Sequence, residues 1–563
     1  MASSARQQLI NLQRSMYDRA LREARESAGS DIKSIATYQD AFDDSLPPKA
    51  LSIPSRKLLE TIDSHQIVLF GDFHSHKQSQ RAFLRLLRMY MNRPDHAPVL
   101  VMLEMFRSED QKYVDDWLAG KLDDLELLEA VDYDQTWGFP WNNYRPVLEY
   151  CKYQNIQILG INTKKGGKDS LEIRDQQAAL KIAWQAQQNK NHKIFCMIGE
   201  FHLANQHLPA TLLKTSSESS KEPIRVFTNL DKYYFDLDPD KIHHRDEYLS
   251  LGPSAFCIMN SPPWIKWQSQ SLWEEIRRLG PMKYLEDAIA PDDVESDLAA
   301  WEDDDEDLYN DDVLDLDYHL MHLQKQLTEF FKLKLTSEQI EHFNVVQGNI
   351  DDELSGLDEA SRTLSLSVAS TEGFSVNYAA RLVYMPEVSI NNMAAASGQM
   401  LFGSLSNLSE DFENDEALLI LQCLKSTFGY VANKILNPRI PLHTVRKLES
   451  YLLSTKGKRL IGSMRQRRKS AQLTLKLYDW IQENWTRKNQ SLKRMPKEFT
   501  SANRATEHDL ARNLAQLIAE PVCRALIRGK IDTIDIQRWL LRDCRNLNDA
   551  KNSLAALIAL TTT

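Results

Sequence analysis

The segment QIVLFGDFH, residues 66–74, is a short apolar run that ends in a glycine and polar residues. Its apolar part is continuous rather than alternating, which is typical of a strand buried on both faces of a sheet. The same pattern recurs in the runs VLVML (99–103), IQILG (156–160), KIFCMI (193–198), IRVF (224–227) and SAFCIMN (254–260). We therefore predict a sheet whose strands are mostly buried.

Segments with helical periodicity separate the first four of these runs, at 77–92, 109–119, 144–154 and 171–188. Strand, helix and strand in this order predict right-handed βαβ units and a parallel sheet. The second helical segment begins near Ser108, with Gln111 three residues later, which predicts a capping box. The predicted fold class is α/β, with a mainly parallel sheet flanked by helices, followed by an acidic linker and an α-helical C-terminal domain.

The acidity of the chain is concentrated in one segment. Residues 292–317 contain 14 of the 79 acidic residues and no Lys or Arg, so the other 65 acids nearly balance the 68 bases, although the whole chain carries −11. A segment of this kind predicts a solvated linker between domains. We expect an N-terminal helical extension over 1–54, the α/β domain over 55–290, the acidic linker over 291–317 and the helical domain over 318–563.

The predicted helical domain carries a compensating basic stretch. Between Arg439 and Glu498 there are 16 Lys or Arg and only four acids. Such a patch can bind nucleic acid or an anionic membrane. We favour a solvated helix face or a docking surface for the acidic linker, and we expect no nucleic-acid partner.

The composition excludes several classes of protein. With 42% hydrophobic and 26% charged residues, the chain has the composition of a soluble globular protein. Its six cysteines are widely scattered and form no CxxC pair, which excludes a thiolate zinc ribbon and a disulfide-dense secreted scaffold.

The N-terminal segment and the hydropathy pattern predict a cytoplasmic protein. The first 27 residues contain no long apolar stretch, and Leu9, Leu12, Met16 and Tyr17 recur at the spacing of an amphipathic helix rather than of a signal sequence. The longest uncharged stretch, 388–409, is rich in Ser, Asn, Gln and Gly and makes a poor membrane span. We therefore expect no transmembrane segment.

Polar residues follow the predicted strands at the point where each strand ends. Gly71-Asp72-Phe73-His74 follows the first run, Glu104 follows the second, and Gly199-Glu200-Phe201-His202 follows the fourth. Because the carboxyl ends of parallel strands share one edge of a sheet, we expect these side chains to converge there. The two GxxH turns, each directly after a buried strand, are the most informative feature of the sequence.

These residue types indicate two kinds of chemistry. Imidazole and carboxylate groups commonly bind zinc or another divalent ion, and without a metal they can act as general acid and base. Arg174, near the start of the fourth helical segment, could hold an anionic group. Each group also has a structural alternative, such as Asp72 acting as a helix N-cap or Glu200 pointing away from the cleft. The candidate metal ligands are Asp72, His74, Glu104, Glu200 and His202.

At these positions the chain resembles the ChaN-like family of haem-binding uptake proteins, within the Tiki/TraB/erythromycin-esterase-like superfamily. The likeness covers about residues 55–262. The family usually has Glu where this chain has Asp72. Because the Asp side chain is one methylene shorter, its carboxylate is displaced, and this changes the geometry on which catalysis would depend. The matching stretches are Gly71-Asp72-Phe73-His74, Leu103-Glu104-Met105-Phe106 with Gln111, Tyr144-Arg145-Pro146, Gly160-Ile161-Asn162, Arg174-Asp175 and Gly199-Glu200-Phe201-His202.

The resemblance implies first a binding module that holds haem or a divalent metal ion, zinc or iron, without turning over a substrate. Its cofactor contacts would come from His74, His202 and Tyr144, although a packed side chain is the ordinary interpretation of Tyr144. The implied partners are haem or another small molecule and, in a homodimer, a second copy of the chain.

Two further functions remain open. One is a metal-assisted or His/Glu-dependent hydrolase of the same superfamily, in which His74 and His202 are ligands or bases. In that case Glu104 would activate water and Arg174 would steady the substrate. The other is a scaffold that acts through its helical domain. We rank the binding module first, the hydrolase second and the scaffold third.

Overall fold

The computed structural model describes the chain in segments, and the description below is restricted to residues 5–27, 40–163, 171–215, 221–237, 246–278, 316–335, 343–346, 354, 356–386, 388–406, 415–456, 462–485, 492–500 and 504–562. The chain divides into two compact units, one over 17–286 and one that combines 1–16 with 287–563. The predicted acidic linker lies outside the described residues except for its last two, with which the helix Leu316–Phe331 begins. The predicted amphipathic N-terminal helix is present over Ala5–Ser27.

The unit over 17–286 is built on an eight-stranded sheet with the order β1-β7-β8-β6-β2-β5-β3-β4. Its strand pairs are parallel except at β1–β7 and β7–β8. The predicted mainly parallel sheet is therefore confirmed. The strands are β1 (Leu51–Ile53), β2 (Ile67–Asp72), β3 (Val99–Arg107), β4 (Gln157–Asn162), β5 (Lys193–Gly199), β6 (Ile224–Thr228), β7 (Glu247–Ser250) and β8 (Ala255–Met259).

Helices connect these strands, and the four predicted helical segments are present with ends shifted by a few residues. The short helices Asp124–Ala130 and Tyr133–Thr136 were not predicted, although the first opens with a capping box between Asp123 and Glu126. The helices of this unit after Ala5–Ser27 are Ser55–Asp63, Lys77–Met91, Gln111–Leu118, Asp124–Ala130, Tyr133–Thr136, Trp141–Tyr153, Leu171–Gln188, Leu208–Thr215, Asp231–Tyr234 and Pro263–Arg278, with 3₁₀ turns at Ser108–Asp110 and Glu200–Leu203.

The capping box predicted at Ser108 and Gln111 is wrong, because both side chains bond to the neighbouring strand β4. The Ser108 hydroxyl donates to the carbonyl of Gly160 at 2.8 Å. Gln111 accepts from the N–H of Gly160 at 2.9 Å and donates to the carbonyl of Ile158 at 2.8 Å. A Cβ on Gly160 would lie 2.7 Å from the carbonyl oxygen of Phe106, so this close approach of β3 and β4 requires glycine.

The core of this unit lies between the sheet and the inner faces of its helices. Leu58 and Ile62 of the first connecting helix are fully buried. The ring of Phe195 on β5 lies 5.4 Å from that of Tyr90 and 6.4 Å from that of Phe83, both on the helix after β2. Burying a large apolar side chain contributes about 1.5–3 kcal/mol. The continuous apolar runs of the sequence thus correspond to strands covered on both faces.

The second unit is mainly helical, as predicted, but it also contains a small sheet that was not predicted. Strands β9 (Asn344–Val346), β10 (Ser375–Asn377) and β11 (Leu382–Tyr384) are ordered β10-β11-β9, and each has only three residues, too few for a periodic signal. The helices are Leu316–Phe331, Glu359–Glu372, Ile390–Ser406, Asp415–Leu436, Val445–Ser454, Gly462–Trp485, Lys497–Thr500, Arg504–Ile527, Thr533–Leu540 and Leu547–Thr562.

The long uncharged stretch forms the helix Ile390–Ser406, which packs closely on Asp415–Leu436. A Cβ on Gly398 would lie 2.6 Å from the Cβ of Ala432, so small residues allow the two backbones to approach. Among the described residues, no helix combines the length and the apolar character that crossing a membrane would require.

The basic stretch of this unit lies on the helices Val445–Ser454 and Gly462–Trp485. Its side chains Arg446, Lys447 and Lys469 are exposed to solvent. This exposure agrees with a solvated helix face, and the acidic linker lies outside the described residues.

Candidate functional site

The candidate site lies at the carboxyl edge of the sheet, where β2, β5 and β3 are neighbours. Parallel register places Asp72, the last residue of β2, opposite Gly199, the last residue of β5. Glu104 lies near the end of β3, on the other side of β5. His74 and His202 lie in the turns that follow β2 and β5. The topology therefore brings together groups that are far apart in the sequence.

Glu104 is the centre of this arrangement and is only 5% exposed. Its Oε2 accepts a hydrogen bond from the N–H of Gly199 at 2.8 Å and lies 3.8 Å from Nε2 of His74. Its Oε1 lies 3.6 Å from Nε2 of His202. A Cβ on Gly199 would lie 3.2 Å from Nε2 of His74, so glycine leaves the space that the imidazole uses. We refer to these three side chains as the His74–Glu104–His202 cluster.

Each imidazole of the cluster is oriented from behind by an aspartate. Nδ1 of His74 donates to Oδ2 of Asp72 at 2.9 Å, and Nδ1 of His202 donates to Oδ1 of Asp175 at 2.7 Å. A carboxylate that binds Nδ1–H selects one ring orientation and directs Nε2 at the opposite side. Both histidines therefore present Nε2 to Glu104.

Asp72 is held in turn by two further side chains. The hydroxyl of Tyr144 donates to its Oδ2 at 2.8 Å, and the amide of Gln80 donates to its Oδ1 at 2.6 Å. Tyr144 is 1% exposed, and burial together with the charge of Asp72 raises the pKa of its phenol well above the ordinary value. Tyr144 is thus placed as a neutral donor that fixes Asp72, behind the cluster rather than at its surface.

The cluster reaches solvent on the side of His74 and Arg174. The His74 side chain is 23% exposed and the Arg174 side chain 33%, whereas His202 is 5% exposed. Nη1 of Arg174 lies 3.9 Å from Oε1 of Glu104. The rings of Trp137 and Phe139 lie 4.5 and 4.8 Å from the His74 ring. The opening therefore has a cationic side and an aromatic side.

The charges of the cluster support one another. Burial acts to raise the pKa of Glu104, but His202, His74 and Arg174 outweigh it and hold that pKa below its ordinary value. Burial likewise acts to lower the pKa values of His74 and His202, but Asp72, Asp175 and Glu104 outweigh it and raise both. Each group therefore favours the charged form of its neighbour, which lowers the pKa of the glutamate and raises the pKa values of the two imidazoles.

Glu200, the second carboxylate of the GxxH turns, points away from this cluster. Its Oε1 lies 3.4 Å from Nζ of Lys266, which also lies 3.2 Å from Oδ1 of Asp231. Burial raises the pKa of Glu200, against the opposing effect of Lys266. The five predicted ligands thus divide into three groups: the His74–Glu104–His202 cluster, Asp72 behind His74, and Glu200 beside Lys266.

Sequence reasoning did not assign roles to Asp175, Gln80, Lys266 or Asp231. Asp175 could have been found from its place beside Arg174, at the start of a helix that follows a strand end. Gln80 lies one turn into the helix after the first GxxH turn, where its side chain returns to Asp72. Lys266 carries no such signal, because the helix that holds it follows the last strand.

Within the described part of the chain, no group of three or more His, Cys, Asp or Glu side chains is arranged as a metal site. No curated protein and no solved structure matches the chain. Residues 58–172, 115 of the 563, match the model of a family described as "Haem-binding uptake, Tiki superfamily, ChaN". The N-terminal α/β domain is therefore a ChaN-like domain of the Tiki superfamily.

Proposed function

We propose that the ChaN-like domain binds a divalent metal ion at Nε2 of His74, Nε2 of His202 and the carboxylate of Glu104. The observation that carries this proposal is the direction of the two imidazoles. Aspartates occupy both Nδ1 positions, and both Nε2 atoms face oxygens of one carboxylate at 3.8 and 3.6 Å.

The donor set suits zinc or iron. Two histidines and a glutamate are a common ligand set of catalytic zinc sites, which keep a further position open for water or substrate. Histidine ligands of metals usually donate their other N–H to a carboxylate, as both do here. Ligands must lose their protons before a metal binds, so the raised pKa values of His74 and His202 predict weaker metal binding as pH falls. Metal binding requires neutral imidazoles and a small approach of both rings to Glu104.

Haem does not fit between the predicted cofactor contacts. Both imidazoles point inwards to Glu104, and the space next to Gly199 is so narrow that a Cβ there would lie 3.2 Å from Nε2 of His74. A porphyrin placed between the two histidines would have to displace the Glu104 side chain. The hydroxyl of Tyr144 is buried and donates to Asp72. Haem bound between these three residues is therefore not part of the proposed function.

Among the described residues, the aromatic side of the opening offers a place for a planar ligand, and haem there is the second candidate function. Trp137 and Phe139 form an aromatic ledge beside the partly exposed ring of His74. The description of the matching family names haem. Trp137 and Phe139 would hold haem on this ledge by stacking contacts, together with the solvent-exposed part of the His74 ring.

The hydrolase interpretation uses the same residues. A bound divalent ion supplies Lewis-acid chemistry and lowers the pKa of bound water. The protein itself would then hold Glu104 ionised beside the bound ion. Arg174 would bind an anionic group of a substrate.

The test is a metal and haemin titration of the full-length protein after treatment with a chelator. We expect about one Zn²⁺ or Co²⁺ per chain, with binding lost in His74→Ala, His202→Ala and Glu104→Gln. His192→Ala, which alters a histidine at the opposite edge of the sheet, is the matched control and should bind as the wild type does. Wild-type protein that takes up no metal would refute the metal proposal. A saturable haemin absorbance change that disappears in Trp137→Ala would then favour the ledge.

A further inference from the structure

Lys266 is a buried lysine close to the candidate site, on the helix Pro263–Arg278 that follows β8. Its side chain is only 5% exposed. Removing a charged group from water is costly unless charged or polar partners compensate for it. The partners of Lys266 must therefore compensate for the cost of burying its charge.

One partner anchors Lys266 to the body of the domain. Its Nζ lies 3.2 Å from Oδ1 of Asp231, the first residue of the short helix Asp231–Tyr234 that follows β6. The other oxygen of Asp231 accepts from the hydroxyl of Tyr17 at 3.1 Å and from Nε1 of Trp267 at 2.5 Å. Since Asp231 is held by these donors, it gives the lysine a fixed point of attachment.

Nζ of Lys266 also lies 5.2 Å from the centre of the Trp267 ring on its own helix, and two further partners belong to the two GxxH turns. Its Nζ lies 3.4 Å from Oε1 of Glu200, in the turn that carries His202. The same Nζ lies 4.8 Å from the centre of the Phe73 ring, in the turn that carries His74, a cation–π distance. One ammonium group thus contacts both turns that supply the histidines of the cluster.

The two GxxH turns also pack against each other directly. A Cβ on Gly71 would lie 3.2 Å from the Cβ of Glu200, so the two turns pack closely there. The Oε2 atom of Glu200 is buried, and within the described residues it has no hydrogen-bond partner. The contact with Lys266 is therefore the charged interaction that the described structure provides for this carboxyl group.

We propose that Lys266 is a positioning residue that ties the two GxxH turns together and so sets the placement of His74 and His202 relative to Glu104. The purpose of this positioning rests on the proposed metal-binding function. The experiment that tests it needs no metal. Replacement of the lysine should move both imidazoles, although the contacts of its Nζ within the described residues are with Asp231, Glu200, Phe73 and Trp267.

The test uses full-length protein labelled with ¹³C at Cε1 of histidine, so that each ring gives a signal without any metal. His74→Ala and His202→Ala assign the two signals. We expect Lys266→Met to shift both of them, whereas Lys193→Met, a half-buried lysine at the opposite edge of the sheet, should leave both in place. Signals of His74 and His202 that stay unmoved in Lys266→Met would overturn the proposal, whether or not the protein binds metal.

Two further variants distinguish a displacement of the imidazoles from the effect of the lost lysine charge. One balances the charge change and the other retains the charge. Lys266→Met/Glu200→Gln removes one positive and one negative group together, so a remaining shift of the two signals reports displacement rather than a changed field. Lys266→Arg retains the charge and should restore the signals in part. If the double variant restores the wild-type signals completely, the lysine acts only through its charge and the proposal fails.

The same variants connect this inference with metal binding. In wild-type protein that binds Co²⁺, we expect Lys266→Met to weaken binding about tenfold, in the range found for groups that orient metal ligands, and to change the visible spectrum of the bound ion. Wild-type protein that binds no metal would refute the proposed function alone, because the histidine signals still decide the role of Lys266.

Discussion

The two GxxH turns have the same arrangement of glycine, acid, phenylalanine and histidine, yet their acids have different roles. Asp72 bonds to the histidine of its own turn, whereas Glu200 turns away from His202 and contacts Lys266. The carboxylate that accepts from Nδ1 of His202 belongs instead to Asp175, on the helix Leu171–Gln188. The backbone explains the difference, since Asp72 is the last residue of an extended strand and Glu200 begins a 3₁₀ turn. The repeated motif therefore supplies a histidine in both turns, while the partner of each histidine depends on the local conformation.

The strongest test of what the two turns share is the replacement of Glu104, which both histidines face. Glu104→Gln removes the charge and one of the proposed metal donors while keeping the shape of the side chain. We expect metal affinity to fall by more than about 100-fold, beyond the 10–100-fold typical of groups that only orient a ligand. Isothermal titration with Zn²⁺ measures this. Binding within a few fold of the wild type would show that the histidines do not share a ligand at Glu104.

A comparison of three acid-to-amide variants tests the asymmetry between the turns. Asp72→Asn and Asp175→Asn each remove a carboxylate from Nδ1 of a histidine, so metal affinity should fall about 10–100-fold in both. Glu200→Gln should have a smaller effect, because Glu200 acts only on the position of its turn.

Competition with a chromogenic chelator, applied to the three variants side by side, measures these affinities. Circular dichroism controls for folding. An effect of Glu200→Gln that equals that of Asp72→Asn would show that the two acids are equivalent after all.

The glycines of the two turns offer a more subtle comparison. Gly199→Ala places a Cβ 3.2 Å from Nε2 of His74, whereas Gly71→Ala places one 3.2 Å from the Cβ of Glu200. We therefore expect Gly199→Ala to weaken metal binding several-fold by displacing the imidazole directly, and Gly71→Ala to act less on binding than on stability. Metal titration and urea denaturation of both variants distinguish the two effects. Equal losses of affinity would contradict this assignment.

The pH dependence of stability should be the smallest effect. The pKa values of His74 and His202 are raised in the folded protein, so their stabilising contribution is complete below the ordinary value of 6.5 and is lost as pH rises through the raised values. The pKa of Glu104 is lowered, so its contribution is present above 4.5 and is lost as pH falls. The cluster should thus contribute most between these two values.

Urea denaturation of chelator-treated protein, wild type against His74→Gln/His202→Gln, measures this contribution at a series of pH values. We expect the difference in free energy of unfolding to shrink from mildly acidic to alkaline pH. A difference that grows with pH would show that the imidazoles are neutral in the folded protein.

Much of the fold could be predicted because its signals are local. Each buried strand of the parallel sheet, such as 66–70 or 193–198, is a continuous apolar run, and the helical periods between them predict parallel connections. The convergence of Asp72, His74, Glu104 and His202 follows from that topology. The small sheet of the second unit was missed because its strands have only three residues each.

The partners within the site could not be predicted in the same way. Whether Glu200 faces His202 or Lys266 depends on the conformation of one 3₁₀ turn, and whether Asp175 reaches His202 depends on the rotation of a helix about its axis. Gln111 illustrates the same limit, since its position suggested a helix cap but its amide bonds to β4. Such choices depend on distances between elements, which composition and periodicity do not contain.

The sequence by itself determined that a mainly parallel sheet forms and that two histidines and a glutamate meet at one edge of it, because burial of continuous apolar runs leaves their polar ends together. Only the tertiary structure decided the roles of the side chains around them: which acid holds each imidazole, which acid faces Lys266, and which tyrosine is buried behind Asp72. The physical reason is that hydrogen bonds and ion pairs act over a few ångströms and depend on direction. The packing of helices and turns sets both quantities.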